Sequence, residues 1–156
     1  MSTDDSRFRL VIIDDNRSEI VLLREALADS GHPIDVLAFG DGAQALAGLM
    51  GESQVDLVLC DISMPVMDGL DLVERLRTIP HLARTLFVLM STSIDLELPA
   101  TLRRRCQDVA CIRKGVTWSD YRGIVDALHR RMTAHRLGPG LGIEDPDAPR
   151  AGLIRD

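Results

Sequence analysis

The chain has 156 residues, with 18 lysines and arginines against 24 aspartates and glutamates, so its formal net charge is -6 and its pI is about 5.1. This acidic balance argues against a dedicated nucleic-acid-binding protein, because contacts to phosphates need a basic surface. Hydrophobic residues make up 46% of the chain and charged residues 27%, which is ordinary for one globular domain.

Short apolar runs alternate with helical patterns five times along the chain. This order is typical of strand-helix units on a parallel sheet that helices cover on both faces, so we predict an α/β fold. The first strand is predicted at residues 8–13. Asn16 followed by Glu19 is typical of a capping box, and the helix that it opens ends near Gly31. The inward residues of this helix are Ile20, Leu23 and Leu27.

The other four units repeat this order. The predicted strands are 34–39, 55–60, 86–90 and 109–113. The predicted helices run from Asp41 to Gly51, from the end of a loop at Asp61–Gly69 to Pro80, from Pro99 to Gln107 and from about Thr117. The third strand is apolar after Asp56, so we expect it near the centre of the sheet. Residues expected to face the sheet are Leu46, Leu49 and Met50, then Leu72, Val73 and Leu76, then Tyr121, Ile124, Val125, Leu128 and Met132.

One domain is expected over residues 7–136, after an N-terminal extension at residues 1–6. From residue 137 to residue 156, glycine and proline interrupt every periodic pattern, which predicts a flexible tail. A tail of this length and polarity is too small to form an output domain.

The three cysteines are odd in number and lack the spacing of metal ligands. We expect them to be small core residues in a reducing compartment: Cys60, Cys106 and Cys111. The first residues contain no apolar signal region, and no apolar run approaches the roughly 18 residues of a membrane-spanning helix. These observations predict a cytoplasmic protein with no membrane partner.

Polar side chains follow four of the five predicted strands. In an open parallel sheet, the functional crevice lies beyond the carboxyl ends of the strands. The residues there are Asp14 and Asp15 after the first strand, Asp61 after the third, Ser91 after the fourth and Lys114 after the fifth. Three carboxylates repel one another unless a cation screens them, and hard oxygen ligands favour Mg²⁺. The pattern predicts a site for Mg²⁺ and a phosphoryl group.

Particular residues argue against related chemistries, and some site residues also have a plainer interpretation. A haloacid-dehalogenase phosphatase needs an aspartate two residues after its nucleophile, and position 63 is serine. The glycine-rich loops that bind nucleotides or dinucleotides are absent from the sequence. Ser91 could instead be a helix cap, with Thr92 or Ser93 in its role. Lys114 is the one lysine among the 18 basic residues, and it could be ordinary surface charge.

Taken together, these residues resemble the receiver domains of bacterial two-component response regulators over about residues 7–136. The resemblance rests on the acidic pair, on the segment from Asp61 to Gly69 with Met64, Pro65 and Met67, on Ser91 and on Lys114. The separations of 30 residues from Asp61 to Ser91 and of 53 residues to Lys114 are those of this family. The resemblance implies a doubly wound, five-stranded (βα)5 fold of the flavodoxin-like type.

The resemblance also implies a function. Asp61 would be the phosphoacceptor that attacks a phosphohistidine on a partner sensor histidine kinase. Lys114 would place its ammonium against that carboxylate and a phosphoryl oxygen, while Ser91 would bind another phosphoryl oxygen. Phosphorylation would then switch a protein-protein interaction surface. Such a protein is not an enzyme in the usual sense, since it catalyses only its own phosphorylation and dephosphorylation.

The implied metal is Mg²⁺. Asp15 and Asp61 would bind it directly together with the backbone carbonyl of Ser63, and Asp14 would act through a water or as a second carboxylate. The ion would neutralise charge on the transferring group.

Two departures from the family pattern bear on the switch. Cys111 occupies the position of the usual aromatic residue in the fifth strand, and Gly115 follows the lysine where proline is usual. These features and the short tail are similar to those of stand-alone regulators that partner bacterial phytochromes. Such regulators tend to dimerise, here through the fourth predicted helix, the fifth strand and the fifth helix. The alternative is a pseudo-receiver, an interaction module that does not use phosphorylation.

Overall fold

A computed structural model describes residues 6–52, 54–92 and 109–138. Five strands form one parallel sheet in the order β2-β1-β3-β4-β5, which confirms the predicted α/β fold. The strands are β1 (Phe8–Ile13), β2 (Ile34–Phe39), β3 (Leu57–Asp61), β4 (Leu86–Ser91) and β5 (Ala110–Arg113). The helices within these ranges are α1 (Arg17–Ser30), α2 (Gly42–Leu49), α3 (Gly69–Arg77) and α4 (Trp118–Leu137), with a 3-10 turn at Pro80–Leu82.

The helices cover both faces of the sheet, as alternating side chains of the strands require. One face packs against α1 and α4, whose buried residues are Leu23, Ala26, Leu27, Tyr121, Val125, Leu128 and Met132. The other face packs against α2 and α3, whose buried residues include Ala45, Leu49, Leu72, Val73 and Leu76. Since β1, β3 and β4 lie inside the sheet, they are buried on both sides, and all five carboxyl ends meet at one edge.

The caps of the helices correct one prediction. Asn16 does cap α1, since its side chain accepts a hydrogen bond from the Ser18 amide at 3.0 Å. The reciprocal half of the predicted capping box is wrong, because the Asn16 amide donates to Asp14 Oδ1 and the Glu19 carboxylate accepts from the Tyr121 hydroxyl. Helix α1 therefore begins with contacts to the site and to α4.

A second correction concerns α2. Met50 is predicted to face the core, but it is 64% exposed because the helix ends at Leu49 and Met50 forms its C-cap. The other two predicted positions are confirmed, because Leu49 is buried and the partly buried Leu46 packs against the core; Ala45, four residues before Leu49, is a further buried position.

Several predictions fall outside the described ranges: the helix at 99–107 with Cys106, residues 1–5 and the tail from 139. Cys60 is buried and Cys111 is half-buried. In the described part of the chain, every helix is too short or too polar to cross a membrane.

Candidate functional site

The predicted site residues meet at the carboxyl edge of the sheet. Asp14 directly follows β1 and donates its amide to Phe39 O at 3.1 Å, while Asp61 ends β3 beside it. Lys114 follows β5, and its amide donates to Ser91 O at 2.8 Å. The strand order thus brings Asp61 into one crevice with Asp14, which lies 47 positions before it, and with Lys114, which lies 53 positions after it.

Lys114 binds two carboxylates at once. Its Nζ lies 3.1 Å from Asp14 Oδ2 and 3.1 Å from Asp61 Oδ2. Asp14 is 0% exposed, Asp61 is 4% exposed and the Lys114 side chain is 9% exposed. Burial alone would lower the pKa of Lys114, but the two ion pairs outweigh burial and raise it. The ammonium therefore keeps its proton between the two acids.

The other oxygen of each carboxylate is held by the backbone. Asp14 Oδ1 accepts from the Asn16 amide at 2.9 Å, and Asp61 Oδ1 accepts from the Ser63 amide at 3.1 Å. In both cases the amide lies two residues after the acid, as in an Asx turn. These bonds fix the orientation of each carboxyl plane, so the oxygens that face the crevice are predetermined.

Three carboxylates lie close enough together to hold one ion. One oxygen each from Asp14, Asp15 and Asp61 can be chosen so that all three lie within 4.8 Å of one another, and Asp15 is exposed to solvent. Burial and then the charge on Asp14 raise the pKa of Asp61, and the bonds from Lys114 and from the Ser63 amide only partly offset this rise. One ammonium does not balance three carboxylates, so this set of hard oxygen donors fits a divalent cation such as Mg²⁺.

The structure places the remaining predicted residues as follows. Ser91 is half-buried at the end of β4 and lies beside Lys114 through the backbone bond already described. Ser63 enters the site through its amide, so the role assigned to its carbonyl stays a prediction. Burial first, and then the charges on Asp61 and Asp14, raise the pKa of Cys60, which keeps this neighbouring thiol neutral.

Gly69, which ends the family segment that begins at Asp61, supports the phosphoacceptor position. A Cβ atom there would lie only 2.1 Å from the backbone oxygen of Asp61, and the Gly69 amide donates to Ile62 O at 2.9 Å. The start of α3 therefore packs directly on the chain that carries Asp61. A glycine eight residues after a strand-end aspartate, at the first position of a helix, is the sequence signal for this contact.

A feature that the sequence analysis missed is the contact between Tyr121 and Glu19. The pattern predicts Tyr121 as a core residue, and it is buried, but its hydroxyl also donates to Glu19 Oε1 at 2.8 Å. The two residues are 102 positions apart, and a local sequence motif cannot predict a contact over that separation.

Comparison with known proteins gives a consistent result. A family model described as the response regulator receiver domain matches residues 10–109. The chain is 40% identical over 76 residues to the cyclic di-GMP phosphodiesterase response regulator RpfG of Xanthomonas campestris, a match that covers 49% of this chain and 20% of RpfG. It is 30% identical over 89 residues to the probable chemotaxis protein CheY of Rhizobium etli, covering 57% of this chain and 67% of that relative.

A solved structure agrees with these matches. The phosphorylated cyanobacterial phytochrome response regulator RcpA superposes with a TM-score of 0.67 at 29% sequence identity. The superposition covers 82% of this chain and 95% of RcpA. The similarity to RcpA extends over nearly the whole of that protein, whereas RpfG is about five times as long as the part that matches.

Proposed function

Because the receiver-domain match spans more than half of it, the chain belongs to the response regulator receiver family, and we propose that it accepts a phosphoryl group on Asp61 from a partner sensor histidine kinase. The reaction is Mg²⁺-dependent, and phosphorylation switches a protein-protein interaction surface. The observation that carries the proposal is the buried Asp61 carboxylate, which shares the Lys114 ammonium with Asp14 and lies beside the exposed Asp15.

The Asp61 side chain is the nucleophile in this proposal. A carboxylate oxygen forms a bond to phosphorus while the bond from phosphorus to the kinase histidine nitrogen breaks, and the electron pair leaves with the imidazole. Two hydrogen bonds hold the carboxylate before the reaction, from the Ser63 amide and from Lys114 Nζ. A nucleophile fixed in this way loses little further conformational freedom on the way to the transition state.

The neighbouring residues support the transfer. Asp14, Asp15, Asp61 and the carbonyl of Ser63 would hold Mg²⁺, whose chemistry is to neutralise charge on the transferring group. When Asp61 becomes an acyl phosphate, its carboxyl group loses its negative charge, and Lys114 then pairs with a phosphoryl oxygen. Ser91 accepts a hydrogen bond from the Lys114 amide on its backbone oxygen at the end of β4, and its hydroxyl binds another phosphoryl oxygen.

The wider setting is also proposed. We infer that residues 7–136 form one receiver domain, flanked in this sequence by residues 1–6 and 137–156, and that the protein is cytoplasmic. Similarity to the phytochrome response regulator RcpA supports a bacteriophytochrome as the kinase. Cys111, in place of an aromatic residue in β5, and Gly115 after the lysine leave room for the alternative of a pseudo-receiver, whereas the intact Asp15, Asp61, Ser91 and Lys114 speak against it. We also propose that the protein forms a homodimer, with contacts through residues 99–107, β5 and α4.

The decisive experiment is incubation with acetyl phosphate and Mg²⁺, followed by intact mass measurement. We expect the wild-type mass to gain one phosphoryl group, and the gain to disappear in Asp61→Asn and in Asp15→Ala. The control is Asp29→Asn, an exposed aspartate at the far end of α1 whose loss should leave labelling unchanged. Labelling of Asp61→Asn would refute the assigned nucleophile. No labelling of the wild type by acetyl phosphate or by a kinase would favour the pseudo-receiver.

A further inference from the structure

Tyr121 joins two helices at the edge of the site. It lies in the first turn of α4, is 4% exposed, and donates its hydroxyl to Glu19 Oε1 on α1 at 2.8 Å. Burial and the Glu19 carboxylate raise the pKa of the phenol, so the hydroxyl remains a donor. A hydrogen bond to a charged acceptor is stronger than one between neutral groups. The pair is therefore a firm link between α1 and α4.

The ring of Tyr121 also contacts the loop that carries Lys114. A Cβ atom on Gly115 would lie 3.1 Å from Tyr121 Cε2 and 3.2 Å from Tyr121 Cδ2, closer than nearly all real contacts of this kind. The ring thus lies directly against the residue that follows Lys114. A larger residue at 115 would push the ring or the loop away, which explains why glycine suits this position.

The opposite end of the link leads to the acidic pair. Glu19 lies in the first turn of α1, where its amide donates to Asn16 O at 3.1 Å, and the Asn16 amide in turn donates to Asp14 Oδ1. A continuous set of contacts therefore runs from Asp14 through the start of α1 to Glu19, and from Glu19 through Tyr121 to Gly115. It closes at Lys114, whose Nζ returns to Asp14.

The second carboxylate oxygen of Glu19 indicates that this link does more than pack two helices together. Its Oε2 is shielded from solvent and has no hydrogen-bond partner within the described residues. Leaving a carboxylate oxygen unsatisfied is unfavourable, and an apolar residue would pack two helices without that penalty. Such exceptions to local rules cluster at functional sites.

We propose that Tyr121 and Glu19 are positioning residues, which hold the Lys114 loop at its distance from the acidic pair through one hydrogen bond and one ring contact. The effect on phosphoryl transfer rests on the proposed function. The effect on the position of Lys114 does not, so the two can be measured separately.

The chain offers a direct probe of this position, because Lys114 is its one lysine. Protein labelled with ¹³C-lysine gives a single side-chain Cε signal in NMR. We expect this signal to shift in Tyr121→Phe, which removes only the hydroxyl, and in Glu19→Leu. It should stay near the wild-type position in Glu19→Gln, whose amide oxygen still accepts the bond.

A matched control lies on the same helix. Thr133 donates its hydroxyl to His129 O at 2.8 Å, so Thr133→Val also removes one hydrogen bond from α4, but far from Lys114. The lysine signal should not move in this variant. An unchanged signal in Tyr121→Phe and Glu19→Leu, or an equal shift in Thr133→Val, would overturn the proposal and leave the bond as helix packing.

Kinetics provide the second readout. With acetyl phosphate, Tyr121→Phe should label about tenfold more slowly than wild type, within the roughly hundredfold that displacing a catalytic group can cost. The double variant Tyr121→Phe/Glu19→Leu should be no slower than the slower single variant, because both remove one link. Additive losses would refute a shared role. If the wild type is never labelled, the proposed function fails, while the lysine signal still decides whether the link positions Lys114.

Discussion

Replacing Gly69 with alanine should disturb the phosphoacceptor through a backbone contact. The added Cβ would lie 2.1 Å from Asp61 O, 2.9 Å from Asp61 C and 3.0 Å from Ile62 Cα. All three are backbone atoms and cannot rotate away. Ordinary van der Waals contact begins near 3.4 Å, so the oxygen and the methyl group must separate by about 1.3 Å. The hydrogen bond from the Gly69 amide to Ile62 O would move with them.

The expected magnitude follows from the cost of overpacking. Inserting a methyl group into a close-packed region costs about 1–3 kcal/mol of the free energy of unfolding. In a domain of this size, that loss lowers Tm by about 4–12 °C. The same shift displaces the end of β3, so we expect phosphorylation of Asp61 to slow by about tenfold or more. Urea unfolding and acetyl phosphate labelling of the folded protein measure the two effects.

Gly123 provides the matched control for this substitution. It lies on the exposed side of α4, and a Cβ placed there has no described atom within 4 Å apart from its chain neighbours and the backbone of its own helix. Gly123→Ala should therefore stabilise the protein by about 0.5–1 kcal/mol, because alanine is the better helix former. An unchanged free energy of unfolding in Gly69→Ala would refute the steric argument. Lower stability with wild-type labelling would refute the claim that Gly69 positions Asp61.

Three further predictions concern charged groups. Lys114→Arg should keep the fold but slow labelling about tenfold, because a planar guanidinium does not reproduce one ammonium between two acids. This loss is smaller than the roughly hundredfold loss expected when a transition-state donor is removed. A wild-type labelling rate would show that the lysine is not required. Burial, and to a smaller extent the charge of His32, lower the pKa of His129 in the folded protein. In acid, the unfolded chain therefore binds more protons than the folded protein does. The free energy of unfolding should therefore fall below about pH 6.5, and less steeply in His129→Gln; equal slopes in urea titrations would contradict this. The Arg136 guanidinium lies 4.0 Å from the centroid of the Phe8 ring. Arg136→Ala also removes the ion pair with Asp56 and should lower stability by about 1 kcal/mol in the same assay; no loss would exclude both contacts as contributors.

The sequence predicts the sheet, and the residues that meet at its carboxyl edge, because the strands and the polar residues that end them follow short-range patterns. Each apolar run ends at a polar residue or a glycine, so β1 and β2 are found at their predicted limits. Parallel topology then forces the strand ends together, which is why Asp14, Asp61 and Lys114 meet although they are far apart along the chain.

The missed features depend on long-range geometry. A helical stripe predicts that Tyr121 faces inward, but it cannot say that the hydroxyl reaches Glu19 on another helix. The capping-box error has one local and one long-range cause: the Asn16 amide donates to Asp14 two residues earlier, and the Glu19 carboxylate accepts from the distant Tyr121 hydroxyl. A local motif predicts a partner only when no tertiary contact competes for the same group.

The position of the one lysine follows from the difference between surface and buried ion pairs. At the surface, Arg7 pairs with Asp35 at 2.9 Å and Arg9 pairs with Glu52 at 2.7 Å, and such exposed pairs contribute little to stability. Either basic residue serves there, so composition can decide. In the buried crevice, one compact ammonium must approach oxygens of two different acids while the third acid stays open to solvent. That arrangement leaves uncompensated negative charge around the Asp61 carboxylate, which is the physical basis of the proposed Mg²⁺ site.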